Sequence, residues 1–406
     1  MIEIAIGLTC HRTLETIELA KLQVGEAPRP VKLIVSTVNE ALFLLPWLAD
    51  CKKQGRIVDV IYGVPPSSTC FKRLLPLREQ LGHDAVSFLL DHPAQLRNLI
   101  ETSSSTQPVP AWIKVDPGYH RAGVTAKSTE LEVLLNTIKQ HAVSGKGHSQ
   151  PHVKLVGFYT HMGHSYGAKS SSDALDFLAE EIQQVLNATD GASPQDYGVE
   201  KFTISVGATP TAASATNLIS DPDAGRKVNE LMTKVASTHQ LELHAGVYPT
   251  LDMQQLSTHH RANMTTSDIG IRVLAEVLSV YENRETPEAL IGAGTLALGR
   301  EPCQSYPGWG VLAPNPWKPQ EDKIIYDDEQ KTGWMVKRIS QEHGIVSWEG
   351  PKDKMYPLTI GEKVLLWPNH ACIAGPNFNA YYVVDTSSGE GTGTEIVDAW
   401  VRARGW

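Results

Sequence analysis

Seven short apolar runs, each trailed by a longer amphipathic stretch, occupy the chain between residues 32 and 249. The runs fall at 33–37, 58–62, 85–90, 111–115, 154–159, 202–206 and 241–244. Helix-like segments at 39–54, 74–81, 129–142, 172–186 and 222–238 lie between them. A strand and a helical spacer recurring every ~25–45 residues read as βα repeats around a parallel sheet. Seven or eight such units predict a (β/α)8 TIM-type barrel rather than a doubly wound sheet. A first strand is expected at 2–8, followed by a helix at 14–23. After about residue 265 the pattern changes. Strand-like runs at 271–281, 294–298, 334–339, 364–367, 380–384 and 395–401 follow one another with Gly/Pro-rich turns and little helix, which predicts a C-terminal antiparallel β domain. The expected division is 1–265 for the barrel and 266–406 for the β domain. Stretches rich in Ser, Gly, Pro and Thr at 102–110, 143–152 and 386–394 read as surface loops.

Composition narrows the class of partner. The net charge of −9 argues against a nucleic-acid surface, and no apolar run approaches the ~20 residues needed to span a bilayer. Five scattered cysteines form no CxxC pair, so a reducing, cytoplasmic setting is expected rather than a disulfide framework.

In a barrel of this type, chemistry gathers where strands end. The 111–115 strand runs into Asp116-Pro-Gly-Tyr-His-Arg-Ala-Gly123, where two glycines permit a sharp turn and Arg121 offers a permanent cation. A surface ion pair is the plainer reading of that arginine. Tyr159-Thr-His-Met-Gly-His-Ser-Tyr166 packs two His, two Tyr and two hydroxyls into eight positions, either a site or a loop satisfied by its own backbone. Ser205-Val-Gly-Ala-Thr-Pro-Thr211 joins a Gly turn, hydroxyls and a helix start, which suits a phosphate or is an ordinary cap. His244-Ala-Gly-Val-Tyr248 follows the next strand, with Asp252 beyond it; barrels often hold phosphate in these last two loops. Near the C-terminus stands His370-Ala371-Cys372. In extended backbone, residues i and i+2 share a side, so an imidazole and a thiolate could meet one Zn²⁺ and leave open positions for water or substrate. Core packing of the pair is the alternative.

Together these strings resemble the D-serine dehydratase and D-threonine aldolase family, enzymes with the alanine-racemase-like fold. The resemblance runs from about Leu8 to the C-terminus. It rests on Lys114-Val-Asp-Pro-Gly-Tyr-His-Arg121, Tyr159-Thr-His-Met-Gly-His-Ser-Tyr-Gly167, Ser205-Val-Gly-Ala-Thr-Pro-Thr211, Ser340-Gln-Glu-His-Gly344 and Pro368-Asn-His-Ala-Cys372. It implies pyridoxal 5'-phosphate (PLP) and Zn²⁺ as cofactors and D-serine as substrate, with pyruvate and ammonia as products. Arg121 would contact the PLP phenolic oxygen. Thr209 and Thr211, with the backbone at Gly246 and Tyr248, would hold its phosphate, and Tyr166 would line its pocket. His370 and Cys372 would bind zinc, with His343 near the metal or an ordinary loop histidine. His-x-Cys points to the dehydratases; the aldolase branch, which cleaves β-hydroxy-D-amino acids, tends to show His-x-Asp. A homodimer is expected by analogy.

One departure stands out. Where family members place the PLP lysine, Leu8-Thr-Cys-His-Arg-Thr13 has Thr9, which cannot form the Schiff base. Three readings stand open. An alternative start supplies the true first strand, the chain binds ligand without turnover, or another lysine substitutes. Lys114 is the candidate by motif, though an ion pair with a nearby acid is its expected structural role. Ala208, where serine is common, predicts one phosphate hydrogen bond fewer.

Overall fold

The computed structural model describes residues 15–103, 107–142, 150–220, 223, 225–317, 332–385 and 394–405. Its contacts divide the chain in two: a first unit that runs to Gly246 and takes back the chain end from Ala403, and a second, Val247–Arg402.

The first unit is a parallel sheet wrapped by helices. Its strands are β1 (Val31–Val35), β2 (Val58–Tyr62), β3 (Val86–Leu90), β4 (Val109–Asp116), β5 (Val124–Thr125), β6 (Val153–Tyr159), β7 (Thr203–Val206) and β8 (Gln240–Leu243). The order is β1-β2-β3-β4-β6-β7-β8, with the short β5 beside β4. All seven runs read from the sequence are strands, in a βα alternation of TIM type. The further strand expected at 2–8 lies outside the described residues, and the helix expected after it is Ile17–Val24.

Helix starts are set by local chemistry. Thr37 caps the helix Val38–Lys53 by accepting from Glu40 N–H at 3.1 Å, while the Glu40 carboxylate reaches back to Ser36 N–H at 2.8 Å. Ser170 does the same for Ser171–Thr189. Alternation along each strand then sorts side chains into two layers. Val58, Val60 and Tyr62 of β2 join the outer core against the helices, which also takes in Leu44, Phe71, Phe88, Phe158, Ile182 and Phe202. Burying each such side chain contributes ~1.5–3 kcal/mol. The opposite face turns Ile34, Ile61, Leu89, Trp112 and Tyr159 into a separate small cluster.

The second unit is a closed antiparallel barrel, β10-β13-β12-β11-β14-β9. Its members are β9 (Val273–Tyr281), β10 (Glu288–Ile291), β11 (Gly310–Leu312), β12 (Gly333–Ser340), β13 (His343–Glu349) and β14 (Lys363–Pro368), with a separate hairpin β15 (Ala380–Val384) and β16 (Ile396–Val401). In β9, Val273, Ala275 and Val277 point inward and Leu274, Glu276 and Leu278 outward. The core adds Ala289, Ile291, Val336, Val346 and Leu366, and Trp334 meets Trp348 edge-on at 5.8 Å.

Two expectations need correction. The run 294–298 is a helical turn, Thr295–Leu298, bracketed by glycines and too short to show its period. The units also part at Gly246/Val247 rather than at 265/266, because Asp252 ties the start of helix Met253–Ser257 to Ala371 of the second unit.

Candidate functional site

Register carries four polar side chains across the first unit in one row. Lys114 on β4 pairs with Tyr159 on β6, Tyr159 with Ser205 on β7, and Ser205 with Glu242 on β8. In a parallel sheet, register neighbours point to the same face. Lys32 of β1 completes the run, donating Nζ–H to Glu242 at 2.6 Å. Burial pulls the Lys32 ammonium down, but Glu242 more than offsets this and its pKa rises. Asp59, its register partner on β2, is pushed up to about 7 by burial and by the like charge of Glu242.

Lys114 is 4% exposed, donates to its neighbour's carbonyl (Val115 O, 3.1 Å) and lies 5.4 Å from the Tyr159 ring centre. The ion pair expected for it is absent: among the described residues no carboxylate stands within 4.0 Å of its Nζ. Burial, joined by the Arg121 guanidinium, pulls its ammonium down to about 8. It is therefore an unpaired buried amine.

Strand ends supply the rest. Asp116 closes β4 and accepts from Gly118 N–H, His120 N–H and His120 Nδ1, each at 3.0 Å. Burial raises the Asp116 pKa, but these donors outweigh it and hold the carboxyl low. The loop so shaped carries Arg121, exposed and 5.8 Å from the Tyr119 ring. Gly123 is required at its end: φ is +115°, and a Cβ would lie 2.7 Å from Asp116 N.

Beyond β6, His161 donates Nδ1–H to Gly207 O at 3.0 Å, and Tyr166 sits half-buried in the turn Gly163–Gly167. Gly207 at the end of β7 packs so close to β8 that a Cβ would stand 2.0 Å from His244 O. Thr209 and Thr211 open the short helix Thr209–Ser214. Thr209 Oγ1 accepts from Gly246 N–H at 3.2 Å, so the structure joins these two predicted positions. Ala208 has no side chain with which to cap, and only the return half of a capping box forms, Thr211 Oγ1 accepting from Ala208 N–H at 2.9 Å. The Thr211 hydroxyl also donates to Glu181 at 3.1 Å. Glu181, 0% exposed on the helix Ser171–Thr189, accepts from Met162 N–H as well, pinning the β6 and β7 loops together. Burial raises its pKa to about 7 against those hydrogen bonds.

In the second unit, the exit of β14 is fastened from several sides. Asn369 donates to Glu301 O and Gly308 O at 2.8 Å each, accepts from the Tyr306 hydroxyl, and its carbonyl accepts from Gln254 N–H at 3.0 Å. Asp252 accepts from Ala371 N–H and Gln255 N–H at 2.8 Å. Burial lifts the Asp252 carboxyl to about 7. His370 is extended, but Cys372 lies in the helical turn Ala371–Ala374. The strand-alternation argument for bringing the two side chains to one point therefore fails, although both are half-buried on the same clamped segment. Burial drops the His370 pKa to about 4, so its imidazole is neutral at pH 7 and of the form that binds a metal. Cys372 forms no disulfide. His343 opens β13 at an exposed hairpin, next to Gln341 with its φ of 38°. Tyr248 follows the Gly246 turn half-buried. Thr9 lies outside the described residues.

The interior charges Lys32, Asp59 and Glu242 and the buried Glu181 were missed in the sequence. The first three stand two positions before Ile34, Ile61 and His244, on the inward phase of their strands, and that phase was the available signal.

A sequence model of the serine dehydratase domain matches residues 270–384, and one of the alanine racemase N-terminal domain matches 33–222. D-serine dehydratase of Schizosaccharomyces pombe is 33% identical over 411 residues, covering 100% of this chain and 86% of that protein. D-serine dehydratase of Saccharomyces cerevisiae is 32% identical, covering 92% and 81%. Among solved structures, D-threo-3-hydroxyaspartate dehydratase from Delftia sp. HT23 superposes with a TM-score of 0.71 at 21% identity, covering 100% and 92%. Variants of that enzyme replace a histidine, or a cysteine two positions later, by alanine, and the cysteine variant is in a metal-free form.

Proposed function

Because the chain belongs to the D-serine dehydratase family, we propose that it is a PLP-dependent ammonia-lyase for small β-hydroxy D-amino acids, converting D-serine to pyruvate and ammonia. The observation that carries this is the cluster at the strand ends of the first unit. There Arg121 and Thr209 supply a cation and a hydroxyl, the latter held by the Gly246 N–H, and two buried hydroxyls, Thr160 and Ser165, have no hydrogen-bond partner among the described residues. Buried polar groups without partners are rare, and a polar ligand accounts for them.

The residues fit PLP in three respects. Gly207 and Ala208 leave the β7 turn bare of side chains, Thr209 is fixed against Gly246, and the unpaired amine of Lys114 keeps the region cationic beside Arg121. Thr211, already bonded to Glu181 and Ala208, positions the turn rather than binding phosphate itself. For zinc the donor set is a neutral imidazole, His370, and a thiol outside any disulfide, Cys372, which suit that ion and leave positions open. The metal-free cysteine variant of the Delftia enzyme supports the pair, since it has the same His-x-Cys spacing. When bound, PLP supplies an electron sink for the α-carbon and zinc a Lewis acid for the departing β-hydroxyl. The chain's own part is to orient these groups, and Asp252 and Asn369 do so for His370 and Cys372 by fixing their backbone.

Thr9 supports a second reading, a member of the family that binds ligand without turnover, since threonine offers no amine to the cofactor. One experiment separates the two: the Thr9→Lys protein, supplied with PLP and zinc, is assayed for pyruvate from D-serine. Pyruvate above the wild-type rate supports the lyase. PLP uptake without pyruvate supports the silent binder, and glycine plus an aldehyde from a β-hydroxy substrate would replace dehydration by aldol cleavage. A homodimer in the cytoplasm is part of the proposal, checked by light scattering and fractionation.

A further inference from the structure

Four side chains cross the interior of the first unit and end on a histidine. Lys32 Nζ donates to Glu242 Oε2 at 2.6 Å. Ser205 Oγ stands 3.0 Å from Glu242 Oε1 and 3.0 Å from His244 Nδ1. Glu242, Ser205 and His244 are all buried. Counting protons decides what such a chain does. A carboxylate held by an ammonium only accepts, so the single Ser205 hydroxyl proton goes to Glu242. The serine oxygen is then an acceptor toward His244, which places a hydrogen on Nδ1. Lys32 already balances the Glu242 charge, and a second buried cation in the same network would go uncompensated. The ring is therefore neutral, with its lone pair on Nε2.

We propose that Lys32, Glu242 and Ser205 form a positioning relay that fixes His244 as a hydrogen-bond acceptor at Nε2, at the C-terminal end of β8. The ring plane is set as well, since His244 stacks on Tyr159 at 4.4 Å and 3°. His161 is fixed in the same sense by a different partner. The carbonyl of Gly207 can only accept, so His161 also carries its hydrogen on Nδ1. The two imidazoles lie 6.4 Å apart and 9° from parallel. The end of β8 thus presents a ring nitrogen in the accepting form, which suits a ligand bearing N–H donors. This deepens the reading of a site for an amino acid and a pyridine cofactor, and rests on it only for the identity of that ligand.

The test uses the full chain without added ligand, with its histidine rings labelled with ¹⁵N. Long-range ¹H–¹⁵N correlation at pH 7 reports the tautomer, and the His244 signal is assigned by its loss in His244→Asn. The wild type is expected to show Nδ1–H with an unprotonated Nε2. In Glu242→Gln, Lys32 keeps the amide oxygen and the amide N–H turns to Ser205. The hydroxyl then donates to His244, and the tautomer inverts. Ser205→Ala is expected to lose the pure Nδ1–H signature and Ser205→Thr to retain it, and this pair carries the test if Glu242→Gln fails to fold. An Nε2–H ring in the wild type, or one tautomer unchanged across Glu242→Gln and Ser205→Ala, overturns the relay. Titration with D-serine alone and with PLP alone then shows which source of N–H reaches the ring. A shift of the Nε2 resonance with either supports the ligand role, and no shift with both overturns it. Because the tautomer is read without PLP, failure of the cofactor reading leaves that result standing, and a wrong tautomer leaves PLP uptake untouched.

Discussion

Each unit of this chain rolls a sheet around an inward face, and the two inward faces are filled with opposite chemistry. The second unit's interior is dry: Val277, Ala289, Ile291, Val336, Val346 and Leu366, each at most 2% exposed, closed by a Trp334–Trp348 pair. Inside the first unit a few apolar residues, Ile34, Ile61, Leu89 and Trp112, share the space with Lys32, Asp59, Lys114, Tyr159, Ser205 and Glu242. A buried ion pair rarely repays its desolvation, so hydrophobic replacements of equal size often match it in stability. The polar interior is thus better explained by chemistry than by folding. The dry barrel is a scaffold, and its candidate metal ligands sit outside it, at the exit of β14.

The comparison breaks first where a charge enters the dry side. Val336→Asp places an unpaired carboxylate at a fully buried position and is expected to cost at least ~3 kcal/mol, seen as loss of the second unit's transition in urea. Next in size is the metal. Cys372→Ala should release zinc, measured by metal analysis after dialysis, with the circular dichroism unchanged because Asn369 and Asp252 hold the segment without the thiol. Retained zinc would mean that the pair is packing only.

How far the sequence showed this contrast depends on which rule applies. Strand positions were plain, since runs such as 58–62 and 380–384 are apolar, short and bounded by breakers. Three strands of the second unit, β10, β11 and β13, were missed, because three to seven residues between glycines and prolines give too little alternation to register. The inward row of the first unit was hidden for another reason. Period two tells which residues share a face, but not that Lys114, Tyr159, Ser205 and Glu242 stand level on four strands; only register does. The geometry expected for His370 and Cys372 was misjudged, since a four-residue helical turn at Ala371–Ala374 has no periodicity to read.

A milder test acts on the wet side. Lys114→Met replaces a buried amine by an apolar chain of similar length, so stability is expected to hold or rise, in contrast to Val336→Asp. PLP binding, followed by absorbance, should weaken roughly tenfold, the ~1.4 kcal/mol scale of one partly screened charge. A fall in stability with unchanged PLP binding would make Lys114 structural and narrow the difference between the two interiors.

The response most specific to the wet side is the pH dependence set by Glu181. Its carboxyl titrates at 4.5 when free and near 7 in place, because burial outweighs the donors Met162 N–H, Gly207 N–H and Thr211 Oγ–H. A raised acid pKa means that the folded state holds the proton more tightly. Below pH 4.5 both states are protonated; between 4.5 and 7 the unfolded chain ionises first and folding stability falls as pH rises; above 7 the loss is complete. The interval corresponds to ~3 kcal/mol at 1.36 kcal/mol per unit. Glu181→Gln removes this titration and leaves Asp59 and Asp252, also near 7, in both proteins. Thermal melts from pH 4.5 to 8 should therefore show the variant gaining on the wild type as pH rises. A constant gap would mean that Glu181 stays ionised throughout, sustained by Lys114, and that the wet interior tolerates charge better than its burial implies.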